Sequence, residues 1–128
     1  MLNTDTVLTL ERFSWTLEDA GDGYYHVVNQ FTGLSLDVED ASSLSGARVR
    51  QWGRGKRDDS DQWCFLPTGG TSSGDSQPLY EIVNKKSGKV LDVAYKATDS
   101  SALLVQYLST GADNQHFVVM EGSILTNS

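Results

Sequence analysis

Residues 25–52 of this chain recur as residues 80–107 at a constant offset of 55. Ten of the 28 aligned positions are identical: Tyr25, Val28, Asn29, Gly33, Leu36, Asp37, Val38, Ser45, Ala47 and Gln51 return as Tyr80, Val83, Asn84, Gly88, Leu91, Asp92, Val93, Ser100, Ala102 and Gln106. Other pairs keep their character, among them Val27 with Ile82, Thr32 with Ser87 and Trp52 with Tyr107. A register held over such a stretch marks a duplicated structural unit, so the fold must be one in which that unit is set against a copy of itself.

Within each repeat, short runs of β-branched and aromatic residues are bounded by turn residues, the pattern of strands. The first run is YYHVVN, or LYEIVN in the second repeat. QFTG or KKSG follows, where glycine after a hydroxyl residue supplies the positive φ of a tight turn. LSLDV or KVLDV is the second strand, ARVRQW or ALLVQY the third, and SDQWCF or NQHFVV the fourth. Four strands in about 45 residues with no helical period predict an all-β barrel or sandwich. Each unit is too small to bury a core alone without disulfides or metal, and Cys64 is the sole cysteine. The Gly-, Ser- and Thr-rich stretch 67–78 is therefore expected to be a surface loop inside one domain rather than a linker between two. At 128 residues the chain has room for one domain, and 38% hydrophobic with 21% charged residues suits a packed core.

The strings YEIVNKKSGKVLDV, ALLVQY and DNQHF, in that order, resemble the repeat of the ricin-type β-trefoil lectins, and the resemblance extends over about residues 12–119. It implies an all-β, β-trefoil fold with pseudo-threefold repeats, carbohydrate binding and no catalysis. One domain over 1–128 would hold repeat one at about 21–66, repeat two at about 79–120, and a short third lobe split between 1–20 and 121–128. Trp15, Trp63 and Phe117 take the aromatic core positions, joined by Tyr25, Tyr80, Leu36 and Leu91. In EGSILTNS, Leu125 and Asn127 are expected where Ile82 and Asn84 stand. The segments available to the third lobe leave it about 20 residues short, so its closure within one chain, or with a partner chain, is open.

The same resemblance assigns sugar-binding roles. Asp37 and Asp92 would accept hydrogen bonds from adjacent hydroxyls, Trp52 and Tyr107 would stack on the C–H face of the sugar, and Asn114 would contact its far side while Gln115 braces the loop. Only the second repeat has the whole set, because Ser60 and Asp61 replace the usual Asn and Gln in the first. The bland reading is that each aspartate caps its own turn and each ring belongs to the core. Gln51 and Gln106 read as structural. Arg48, Arg50, Arg54, Lys56 and Arg57 cluster beside the first pocket; the run is either solvated loop or a selector of sulfated, sialylated or uronic glycans.

The expected partners are glycans, of galactose type or related, with acidic glycans as the variant just described. A homodimer would add avidity. A net charge of −7 disfavours nucleic acid, and no apolar stretch approaches the roughly 20 residues that span a bilayer. The N-terminus lacks the basic and apolar regions of a signal peptide, pointing to a cytoplasmic or non-classically secreted protein. His26 and His116 have no Cys or second His at ligand spacing, so neither metal, cofactor nor catalytic residue is expected. The alternatives are a trefoil protein-interaction module, such as a protease inhibitor or toxin-associated scaffold, and the glycan-targeting module of a larger enzyme.

Overall fold

The computed structural model describes residues 14–53, 59–72, 76–94, 104–120 and 122–126. Ten strands form one curled sheet: β1 (Trp15–Gly21), β2 (Tyr24–Asn29), β3 (Ser35–Val38), β4 (Val49–Trp52), β5 (Trp63–Thr71), β6 (Pro78–Asn84), β7 (Val90–Val93), β8 (Leu104–Tyr107), β9 (Phe117–Met120) and β10 (Ser123–Thr126). Among the described residues the only helical turns are of 3-10 type, Glu39–Ala41 and Asp113–Gln115.

Three antiparallel hairpins, β1–β2, β5–β6 and β9–β10, build a ring. Each joins the next at an equivalent position: Tyr25 pairs with Trp63, Tyr80 with Phe117, and Gly122 with Trp15. Six barrel strands thus close within one chain, and the closing contact, Trp15 N–H to the Gly122 carbonyl at 3.1 Å, keeps the same register as the other two. The third lobe, left open between closure in one chain and closure with a partner, closes within the single chain, because the barrel needs from it only β10 and β1. Hairpins β3–β4 and β7–β8 cap the first two lobes. The architecture is that of a β-trefoil.

The repeated sequence yields repeated local chemistry. Asn29 Oδ1 accepts the amides of Phe31 and Thr32 at 2.8 and 3.3 Å, and Gly33, at φ 76°, returns its N–H to the Asn29 carbonyl. Asn84 Oδ1 does the same for Lys86 and Ser87 at 3.0 and 3.2 Å, with Gly88 at φ 74°. An asparagine side chain satisfying two amides of a turn, with glycine relieving the left-handed position, explains why N-x-x-S/T-G recurs.

Trp15, Trp63 and Phe117 meet in the core with Val27, Leu36, Val38, Val49, Ile82, Leu91, Val93, Leu104 and Ile124. The Trp63 indole donates to the Leu36 carbonyl at 3.0 Å, satisfying its buried N–H. Three expectations are corrected. Tyr25 and Tyr80 are half-buried rather than core: they share a strand face with Val27 and Ile82 but lie two residues before them, outside the deepest layer that those two occupy. Ile124, not Leu125, occupies the place of Ile82: Val119 opposes Ile124 as Phe65 opposes Ile82, which sets Thr126 at the place of Asn84. Asn127 lies outside the described residues. Finally, much of 67–78 is strand, for β5 runs to Thr71, where it pairs with Pro78 after a register shift.

Candidate functional site

In the second lobe, a cavity of about 530 Å3 is lined by Asp92, Tyr107, Asn114 and Gln115, four of the six residues singled out as sugar-binding. The volume falls in the range of small-molecule sites, about 300–1,000 Å3. Asp92 is the penultimate residue of β7, Tyr107 ends β8, and the 3-10 turn 113–115 carries the two amides. Gln115 also holds the segment before the turn: Thr110 N–H donates to Gln115 Oε1 at 2.8 Å.

Asp92 is 7% exposed, and both of its oxygens accept amide hydrogens. Asn114 Nδ2 donates to Oδ1 at 3.0 Å and Gln115 Nε2 to Oδ2 at 2.8 Å. The same amides also donate to the carbonyls of Val93 and Leu108, each at 3.0 Å. A carboxylate has about four lone-pair positions, so two remain for a ligand while its orientation is fixed. Asn114 Oδ1 is a buried acceptor with no hydrogen-bond donor among the described protein groups. Above this floor stands Tyr107, 44% exposed, an amphipathic ring with a face available for stacking. Gln115 ties the loop together through Thr110 and Leu108, and Asn114 grips Asp92.

The first lobe arranges its counterparts differently. Asp37 is fully buried and accepts the Ser60 hydroxyl at 2.7 Å. Asp61, standing where Gln115 stands, is buried beside His26, whose Nδ1 lies 3.7 Å from its carboxylate and 3.2 Å from its carbonyl oxygen. Trp52 is half-buried, with the Arg50 guanidinium 4.1 Å from its ring centroid, a cation–π contact. Arg50 Nη1 is also paired with Glu39 at 3.2 Å. The register makes the substitution plain: Arg50 faces Asp37 as Val105 faces Asp92, and Glu39 follows Val38 as Ala94 follows Val93. Two small apolar walls have become an ion pair laid against the aromatic ring.

Gln51 and Gln106 are structural, as expected. Asn29 donates to Gln51 Oε1, while Gln106 Nε2 bonds the carbonyls of Ser42 and Leu44, each at 3.0 Å. Sequence reasoning missed that Gly46 and Arg48 line the second pocket. Arg48 was placed beside the first pocket; Arg54, Lys56 and Arg57 lie outside the described residues. The repeat relates each lobe to its copy and carries no signal for contact between lobes. Burial raises the Cys64 thiol pKa, partly offset by hydrogen bonds from its own backbone and Tyr24. Among the described residues, no three His, Cys, Asp or Glu gather to hold a metal, and no helix is long and apolar enough to cross a membrane.

Residues 2–52 and 59–126 match the family described as ricin-type beta-trefoil lectin domain-like. The chain belongs to that family. Similar solved structures include ThreeFoil, a designed threefold-symmetric protein, at 40% identity and TM-score 0.67, covering 80% of this chain and 67% of that one. An exo-beta-1,3-galactanase from Clostridium thermocellum matches at 30% identity and TM-score 0.67, over 88% of this chain but 22% of the enzyme. The Polyporus squamosus lectin, bound to a human-type influenza-binding epitope, shares the fold at 20% identity and TM-score 0.59, over 80% of this chain and 33% of the lectin. No curated protein sequence matches the chain.

Proposed function

We propose that residues 1–128 form one non-catalytic lectin domain that binds a galactose-type saccharide in the second-lobe pocket. The observation that carries this reading is the meeting of a buried, amide-held carboxylate with an exposed ring at one cavity. Asp92 offers its remaining lone pairs to neighbouring hydroxyls, Asn114 Oδ1 accepts a third, and Tyr107 covers the C–H face of the ring. Both amides are engaged before ligand arrives, so little ordering is needed on binding. Among the described residues that line the pocket Asp92 is the only carboxylate, and in this reading it serves as a hydrogen-bond acceptor. A lone shallow site of this kind binds near millimolar, about −4 kcal/mol, and pairing of chains would raise avidity on clustered glycans.

The match to a small portion of a galactanase favours a second reading, a glycan-targeting module working beside a catalytic domain. Both readings share the pocket. Calorimetric titration with galactose tests it: the chain should bind without hydrolysing galactosides, and Asp92→Ala should weaken binding at least ~10-fold, since charge-assisted hydrogen bonds contribute about 1.5–3 kcal/mol. Binding by no galactoside on a glycan array, or binding indifferent to Asp92→Ala, overturns the proposal and favours a protein-binding scaffold.

A further inference from the structure

The second-lobe pocket is not built by the second lobe alone. Gly46 and Arg48, which belong to the first repeat, supply part of its wall. Their segment is laid along β8 by a series of backbone contacts. Gly46 N–H donates to the Gln106 carbonyl at 2.8 Å, and Gln106 N–H donates to the Ala47 carbonyl at 3.0 Å. Arg48 forms a β-bridge with Val105, and its carbonyl accepts the Glu39 amide at 2.8 Å. The buried Gln106 side chain then ties the same segment down through Ser42 and Leu44. The backbone of Arg48 is thus fixed from both sides, while its side chain is exposed and reaches the cavity.

Among the described residues that line the pocket, Arg48 is the only cation. The trefoil scaffold does not demand one there, because the repeat sets Leu103 at the corresponding place in the second copy. Its neighbour in charge, Asp92, is sunk in the floor with both oxygens held by amides, whereas Arg48 is an exposed residue of the wall. An anionic substituent entering from solvent therefore meets Arg48 before it meets Asp92. A guanidinium presents its N–H groups as a planar fork that matches a carboxylate or sulfate with two parallel hydrogen bonds.

Resting on the reading that this pocket holds a saccharide, we propose that Arg48 makes it selective for sugars bearing an anionic group, a uronic carboxylate or a sulfate ester. The selecting charge comes from the first lobe and the hydroxyl-binding groups from the second, so the two lobes read different parts of one ligand.

The test is calorimetric titration of the intact chain with galactose, galacturonic acid and galactose 6-sulfate, using wild type, Arg48→Gln and Arg48→Lys. Wild type should bind at least one anionic sugar about tenfold more tightly than galactose, and the arm that does so identifies the substituent. Arg48→Gln should erase that preference and leave galactose affinity within about twofold. Arg48→Lys should retain part of it, because the charge remains and the fork does not. Raising salt from about 50 to 300 mM should weaken the anionic sugar alone. Equal affinities in wild type, or an Arg48→Gln variant that loses neutral and anionic sugars together, would overturn the selectivity while leaving saccharide binding intact. Failure of all three sugars to bind would overturn both.

Discussion

The two lobes share ten identities and an aspartate–aromatic pair, yet they present different surfaces. In the second, Ala94 and Val105 leave space between Asp92 and Tyr107; in the first, Glu39 and Arg50 fill the same space and the guanidinium lies on Trp52. The donors beneath the carboxylate differ as well. Asn114 and Gln115 both give N–H groups to Asp92, whereas the first lobe has the Ser60 hydroxyl and, in Asp61, a residue that when ionised can only accept. Duplication conserved the frame because the core and the turns depend on it. Pocket walls face solvent and carry no such constraint, so one lobe could turn its ring and carboxylate to internal contacts.

The most direct way to break this comparison is to remove each ring. Tyr107 is 44% exposed and touches little that holds the fold, so Tyr107→Ala should lower galactose affinity by about tenfold, near 1.4 kcal/mol, and shift unfolding by less than about 1 kcal/mol. Trp52→Ala should do the opposite. It removes the partner of Arg50 and should cost about 1–3 kcal/mol of stability while leaving affinity unchanged. Titration and denaturant unfolding on the same two variants check both halves. A binding loss in Trp52→Ala would mean that the first lobe carries a site despite its ion pair.

A second experiment sharpens the comparison by reversing it. If the first lobe is closed by what fills it, then Glu39→Ala, Arg50→Val, Ser60→Asn and Asp61→Gln together should rebuild the second lobe's pocket around Asp37 and Trp52. These positions are in contact, so the changes must be made as a set. The measurable outcome is a rise in galactose stoichiometry from one to two per chain, with the new site no tighter than the old. A variant that stays folded and still binds one equivalent would show that the loop path beside the lobe matters more than these four side chains.

How much of this was legible beforehand follows from what a repeat can encode. The strands, the Asn29 and Asn84 turns, and the buried Leu36 and Leu91 were readable because each recurs at one offset and obeys strand alternation, and the buried Trp63 and Phe117 because the family resemblance implies them. That Asp92, Tyr107, Asn114 and Gln115 belong together was implied by the family resemblance instead, since Asn114 and Gln115 have Ser60 and Asp61 as their counterparts in the first repeat. The filling of the first pocket was not: alternation sets Arg50 and Trp52 on one face but does not say that one lies on the other. Nor was the role of Arg48, whose bridge to Val105 joins residues the repeat does not relate. The one-residue slip between Leu125 and Ile124 has a third cause. A terminal strand of four residues offers too few positions to fix a register that inverts with every step.

The smallest expected effect concerns the third lobe, which has its two barrel strands, β10 and β1, and, among the described residues, no capping hairpin. Gly122 takes the position that Tyr25 and Tyr80 hold in the other lobes and sits at φ 79° where it bridges Trp15. A Cβ added there would meet nothing within 4 Å, so the cost of Gly122→Ala is the left-handed backbone alone, about 1 kcal/mol, or roughly 4 °C in midpoint for a chain of this size. Galactose affinity should not change, because the pocket draws its residues from the first two lobes and the closing bridge contributes none. If Gly122→Ala weakened binding in proportion to stability, the barrel's closure and the pocket would be one cooperative unit. The division into a shared frame and independent pocket walls would then fail at its simplest point.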